Sequence, residues 1–322
     1  MDNLQVRWMT DEDELDLADL TSAVYGLSPG VEQQQRRNWL YQQNPYAAIR
    51  PELLVCQGGQ RIVGQTGGIS VPLFMNGFLQ RAAWGTDTMV HPDWRGRGIA
   101  GRLITDWSQR CEHSLCLGFG PTDANRQVLA RMGHRPLGQI RGYYLAGGAF
   151  HCAESESTVV APLDVSDLRI ATLWQNVLPH YRALVKRDPQ WLNWRFRAVK
   201  QPSYSLFGAT RGGELVGYSV LRVTPRRGST TLLVDWLAHP EDTETLDALI
   251  VHCYRFHQQH GTSGVFAYSS ERRLTARLTR SGFRSPTDFS DELLVWGSAA
   301  QGLPDVSEWH LTLGDSDKDR PP

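Results

Sequence analysis

Val90-His-Pro-Asp-Trp-Arg-Gly-Arg-Gly-Ile-Ala-Gly-Arg-Leu-Ile-Thr105 is the stretch that decides how this chain is read. It joins a strand predicted to end near Val90 to a helix predicted to begin near Gly98. Gly96 and Gly98 let the backbone take left-handed dihedrals and approach a ligand with no Cβ in the way. The helix start offers unpaired N–H groups and a partial positive charge, which suit a phosphate. Arg95 and Arg97 add fixed cations with forked donors. Downstream, Ile99, Leu103, Ile104 and Trp107 recur at helical spacing, so the helix buries one face. A strand exit, a proline, two Arg-Gly pairs and an amphipathic helix together predict an anion site.

Bulk properties bound the rest. At 322 residues the chain exceeds a typical domain, and two domains are expected. With 41% hydrophobic and 21% charged residues it can build cores. A net charge of −1 gives no reason to expect nucleic acid or an anionic membrane as partner. The Met1-Asp-Asn-Leu-Gln5 start lacks the basic and apolar regions of a signal peptide, and no apolar run is long enough for a membrane span. Cysteines 56, 111, 116, 152 and 253 are odd in number and scattered, with no Cys-x-x-Cys. They predict reduced thiols, with no disulfide frame and no metal site, in a cytoplasmic protein.

Taken in order, Gln5–Met9 reads as a strand and Thr10 or Asp11 as the cap of a helix with Leu15, Leu17, Leu20 and Val24 on its apolar side. A second helix is expected from Val31 to Gln43. Leu53–Cys56 and Arg61–Leu73 form a hairpin-like pair, and Phe78–Val90 is the strand feeding the loop. After the loop helix come a buried-type strand at Leu115–Phe119, a helix from Thr122 or Asp123 to Met132, and a strand at Gln139–Leu145. Strand-helix-strand crossovers imply parallel pairing in mid-sheet.

The pattern then repeats. Trp39-Leu40 is echoed by Trp191-Leu192, Ile62-Val-Gly64 by Leu215-Val-Gly217, and Asp87-Thr-Met-Val-His-Pro92 by Asp235-Trp-Leu-Ala-His-Pro240. Gly133-His-Arg-Pro136 returns as Gly282-Phe-Arg-Ser-Pro286, and the offsets stay between 148 and 153. Two copies of one fold follow, spanning 1–147 and 164–297, with a linker at 148–163 and a tail at 298–322. The second copy carries Glu241-Asp-Thr-Glu244 where the first has its arginines and glycines, so acids stand where a phosphate would lie. It is expected to be degenerate, shaping the substrate cleft. Asp315-Ser-Asp-Lys-Asp319 resembles the opening of an EF-hand loop but lacks the following glycine and the closing glutamate. A solvated acidic tail, or a lid near a cationic substrate, is expected instead.

Arg95-Gly-Arg-Gly-Ile-Ala100 resembles the pyrophosphate loop of the GNAT family of N-acetyltransferases, Arg/Gln-x-x-Gly-x-Gly/Ala. Val90-x-Pro92 resembles the strand before it, and Leu4 to Gly147 follows that family's order of elements. The resemblance implies an α/β (mixed-sheet) fold of two tandem GNAT-like domains, each a central mixed sheet flanked by helices. It implies acetyl-CoA as co-substrate, held by Met89, Val90, Arg95, Gly96, Arg97, Gly98, Ile99, Ala100 and Asn125, with an N–H near Met89 or Val90 facing the oxyanion. The reaction implied is direct attack of a small primary amine, an amino sugar or surface-polysaccharide precursor among the options, in a ternary complex. The acceptor amine must shed a proton, which calls for a base. Asp87, on the strand before the loop, is the first choice; its recurrence as Asp235 offers a structural role instead. His91 is base-like by type, and His239 repeats it. The acid tyrosine common in the family falls on Leu129 here, leaving Tyr144 or Tyr143 as substitutes. The alternatives are a non-catalytic CoA-binding or regulatory module, and a transferase for another acyl group. Either a monomer or a homodimer fits.

Overall fold

The computed structural model describes residues 4–26, 31–111, 113–146, 150–198, 202–225, 229–286 and 289–319. The first half runs β1 (Leu4–Trp8), α1 (Glu14–Tyr25), α2 (Val31–Arg37), β2 (Leu53–Gly58), β3 (Arg61–Met75), β4 (Phe78–Val90), α3 (Ile99–Arg110), β5 (Leu115–Phe119), α4 (Asp123–Arg131) and β6 (Arg135–Ala146). The second half repeats it as β7 (Val159–Pro162), α5 (Arg169–Val177), β8 (Ala183–Val185), α6 (Pro189–Leu192), β9 (Ser205–Arg211), β10 (Glu214–Thr224), β11 (Thr230–Ala238), α7 (Thr243–Gln259), β12 (Gly264–Ser269), α8 (Arg272–Arg280) and β13 (Ser290–Trp296). A short β14 (Trp309–His310) follows. The expected strands and helices are present with boundaries moved by a few residues. Leu15 differs in kind: at 82% exposed it faces solvent, and α1 buries Leu17, Leu20 and Thr21 instead.

All fourteen strands belong to one sheet, in the order β1-β2-β3-β4-β5-β13-β6-β12-β11-β10-β9-β7, with β8 joining β3 to β14. Parallel pairs occur where crossovers require them, at β4–β5 and β11–β12. The centre holds an exchange. β13 lies between β5 and β6, placing Leu293 opposite Phe119 and Glu292 opposite Gln139. β6 in turn pairs with β12, Tyr144 opposite Phe266. Each half therefore contributes its last strand to the other. This double duty extends β6 to Arg135–Ala146, beyond the Gln139–Leu145 expected from pattern alone.

Three expectations about organisation change. The stretch 148–163 ends in β7, an edge strand on β9, and is not wholly connector. The repeat register at the tryptophans is Trp39 to Trp194, three residues on from Trp191. Both sit in short π-helical turns, Asn38–Gln42 and Asn193–Arg197. Their indoles stack with centroids 5.4 Å apart, and each Nε1–H donates to the other's carbonyl, at 2.8 and 3.1 Å. Burying such a side chain contributes up to about 4–6 kcal/mol of transfer free energy. Lastly, the tail is not solvated. Leu311, Thr312, Leu313, Asp315 and Asp319 are all at most 3% exposed. Its acids pair with arginines brought from far along the chain: Asp315 with Arg187, Asp317 with Arg36, Asp319 with Arg195.

Candidate active site

β3 and β4 lose register around Asp87. Gln65 faces Met89 while Gly67 faces Thr86, so β4 carries an extra residue there, and Asp87 takes φ +52°. Just before this bulge β4 also leaves β5. The two pair only from Ala82–Trp84 to Leu115–Leu117, and a cavity of about 450 Å³ opens past that point. Gly85 to Thr88 form one wall, Leu117 to Gly120 the other, and Trp107 and Asn125 line it from the helices.

The arginine-glycine loop follows the end of β4 and leads into α3. Gly96 and Gly98 have φ of +78° and +74° with open space where a Cβ would be, so backbone conformation requires glycine here, not crowding. Ile99, Leu103, Ile104 and Trp107 are buried under the sheet and fix α3. Its N-terminus has no side-chain cap. Arg95 and Arg97 are exposed; Arg95 Nε donates to the Val90 carbonyl at 3.3 Å, and Arg97 lies over the Trp94 ring at 4.6 Å. The first turn of α3 thus has no side-chain cap and follows two exposed arginines, an arrangement that suits a phosphate. Met89 is buried at the end of β4, and Val90 is half-buried. Asn125 lines the cavity from the first turn of α4, its own N–H capped by Thr122 Oγ1 at 3.4 Å.

The opposite end of the cavity is ionic. Asp87 Oδ2 accepts from Arg36 Nη1 and Tyr41 Oη, each at 2.6 Å. Burial alone would push the Asp87 carboxyl up, but the Arg36 charge and these hydrogen bonds outweigh it and hold it below the usual carboxylate range. Arg36 also pairs with Asp317, which accepts from Thr86 Oγ1 at 3.1 Å. Lys318 donates to the Gly120 carbonyl at 3.2 Å and reaches Asp291 at 3.5 Å. Gly120 has φ +56°, and a Cβ there would strike Asp291 and Lys318. His134, stacked on Trp296, also lines the cavity; burial pushes its imidazole down to about 4, so it is neutral.

Asp87 and Asn125 are therefore brought together in one cavity, whereas Met89, Val90 and the loop residues Arg95 to Ala100 are not among the residues that line it. Tyr144 is not among those residues either. It lines a separate cavity of about 240 Å³ in the second half and donates to the Ser263 carbonyl at 3.1 Å. Tyr143 is buried in the core. His91 serves the turn: its Nδ1 accepts from the Asp93 N–H at 3.3 Å, as His239 does from Glu241 at 3.1 Å. Tyr25 and Arg36 carry no sequence signal, whereas Asp317 and Lys318 lie in the acidic tail read as a lid near a cationic substrate and His134 lies in the repeated Gly133-His-Arg-Pro136.

In the second half the same helix start is closed. Asp242 caps α7, accepting from the Thr245 N–H at 3.1 Å, and Arg211 pairs with Asp242 at 2.6 Å and with Glu244 at 3.3 Å. Asp235, the counterpart of Asp87, is wholly buried. It is held by Arg187 at 3.0 Å, Tyr218 at 2.6 Å and Thr312 at 2.8 Å. Where β11 and β12 part, the tail turn Leu313–Asp315 fills the gap, Gly314 packing on Asp235 and the Val234 carbonyl.

Comparison with known proteins adds a family and a fold. Residues 5–140 match the model of a family described as the acetyltransferase (GNAT) domain. No curated protein matches the chain. Among solved structures, a GCN5-related N-acetyltransferase from Anabaena variabilis superposes with a TM-score of 0.71 at 14% identity, covering 92% of this chain and 73% of that one. One from Kribbella flavida gives 0.70 at 15% identity, covering 91% and 71%. The N-myristoyltransferase of Saccharomyces cerevisiae, bound to myristoyl-CoA, gives 0.61 at 10% identity, covering 96% and 88%. Among the described residues no helix is long and apolar enough to cross a membrane.

Proposed function

We propose, on the match of residues 5–140 to the acetyltransferase (GNAT) domain, that this chain transfers an acetyl group from acetyl-CoA to a small primary amine. The observation that carries this reading is the uncapped N-terminus of α3 under Arg95 and Arg97, beside a cavity whose far end holds two carboxylates. The pyrophosphate would lie on the N–H groups of Gly96 to Ala100. The thioester would sit along β4, with an N–H of Met89 or Val90 facing the oxyanion. Asn125 would contact the pantetheine arm.

Asp87 and Asp317 favour an ammonium group over a neutral or anionic acceptor, Arg36 holding the two apart. The bound ammonium first gives one proton to Asp87, directly or through water, and the free amine attacks the thioester carbon. The C–S bond then breaks, and the acidic proton of the tetrahedral adduct's ammonium goes to the departing thiolate. A thiol with a pKa near 8.5 is a tolerable leaving group, so no step is assigned to Tyr144. An amino sugar or surface-polysaccharide precursor fits this chemistry, as does any compact cationic amine.

The test is release of free thiol from acetyl-CoA against an amine panel, with mass spectrometry of the product. Binding of acetyl-CoA, read as a rise in melting temperature, without thiol release from any amine would favour a non-catalytic CoA-binding module. Faster turnover with longer thioesters would reassign the acyl group. Absence of any thermal shift would remove the CoA reading altogether.

A further inference from the structure

Away from the cavity, a buried cluster combines three kinds of metal-ligating side chain. Glu52 precedes β2, Cys111 ends α3, and His113 follows in the turn into β5. One donor atom from each lies within 4.8 Å of the other two. All three are buried, at 2%, 5% and 8% exposure. His113 Nε2 is 2.9 Å from Glu52 Oε1 and 3.2 Å from Ser70 Oγ, and that hydroxyl also donates to Glu52.

A carboxylate satisfied by neighbouring donors is the plain alternative, and Ser70 and His113 do satisfy Glu52. Among the described residues His113 Nδ1 is buried with no hydrogen-bond partner, so the polar network is incomplete there. An orphaned buried nitrogen costs about 1–3 kcal/mol, and it asks for an explanation. The donor set also has a definite chemical character. Thiolate with imidazole selects zinc-like ions over magnesium or calcium, and one carboxylate completes a common three-ligand set. His113 further lines an open groove of about 550 Å³, which gives an ion a way in.

The geometry points to a zinc site built by Glu52, Cys111 and His113, with the Ser70 hydroxyl or a water in the fourth position. A cysteine thiol is ordinarily protonated at neutral pH. Uptake of the ion breaks the S–H bond, forms the metal–sulfur bond and releases one proton to solvent. The site is structural. It ties the end of α3 to the start of β2, about 18 Å along the helix axis from the arginine-glycine loop. The absence of a Cys-x-x-Cys hides it from sequence, because Glu52 lies 59 residues before Cys111.

Cobalt(II) titration of the intact metal-stripped protein tests this directly. About one equivalent is expected to bind with an intense near-ultraviolet thiolate-to-cobalt band, release about one proton at neutral pH, and be displaced by zinc. Cys111→Ser is expected to lose the band and His113→Asn to weaken binding at least tenfold, while Cys116→Ser and Cys253→Ser retain it. Zinc is expected to raise the melting temperature of the parent protein and not of Cys111→Ser. A parent protein that shows neither a thiolate band nor a zinc-dependent thermal shift overturns the proposal, whatever the variants do. So does a band that survives Cys111→Ser.

Discussion

Helices α3 and α7 hold the same place in two copies of one fold, and they treat the charge at their N-termini in opposite ways. At α3 the turn is glycine, the cap is absent and the nearby side chains are cationic. At α7 an aspartate from the chain itself occupies the anion position, and Arg211 neutralises it. The strands repeat the contrast. β4 and β5 part around an open cavity, whereas β11 and β12 part around Leu313–Asp315. In the second half the chain thus supplies, from its own side chains, both the anion and the filling that are absent from the first. Glu241 to Glu244 and the tail make that substitution together.

The comparison can be broken first at the filled cleft. Arg187→Met leaves Asp235 and Asp315 buried without their shared cation, and a loss of about 3–5 kcal/mol is expected in urea unfolding. A loss under about 1 kcal/mol would mean the plug is not held by charge. At the open end, Gly98→Asp with Arg97→Glu gives α3 the chemistry of α7. The acetyl-CoA-induced thermal shift is expected to vanish and kcat/KM to fall at least ~100-fold, equivalent to about 2.7 kcal/mol. An unchanged shift would show that the loop is not the anion site.

Acidification sharpens the picture of the plug. Burial, and secondarily the Arg187 charge, push His310 in β14 down to about 3, so it is neutral when folded. The unfolded chain binds that proton near pH 6.5, so this contribution is complete above 6.5 and is lost as pH falls toward 3. About 2 kcal/mol should go between pH 6.5 and 5, and His310→Gln should flatten that part of the curve. The smallest effect belongs to the internal cap. Asp242→Ala is expected to cost about 1 kcal/mol by thermal unfolding and to create no second acetyl-CoA site, because the cleft beyond it stays filled.

Much of the first half was legible because its signals are local. A glycine turn, a strand before it and a helical stripe after it lie within thirty residues, from Phe78 to Trp107. Repetition exposed the second half and its lost anion site. What stayed hidden depends on partners distant in sequence. An alternating strand reads the same whichever strand it pairs with, so the exchange of β6 and β13 left no mark. Asp315, Asp317 and Asp319 read as solvated acids because Arg187, Arg36 and Arg195 lie more than a hundred residues away. Asp87 was found by position, but its ion pair with Arg36, which sets its proton affinity, had no sequence signature.

The exchanged strands also govern the order of assembly during synthesis. β5 and β6 finish long before their shared neighbour β13, 144 residues after Ala146, has been made. At ribosomal rates that interval is roughly 7–30 s. Throughout it the nascent first half exposes two unpaired strand edges, which invite pairing with other chains. This protein should therefore depend on its translation speed and on chaperone holding more than its stability once complete would indicate.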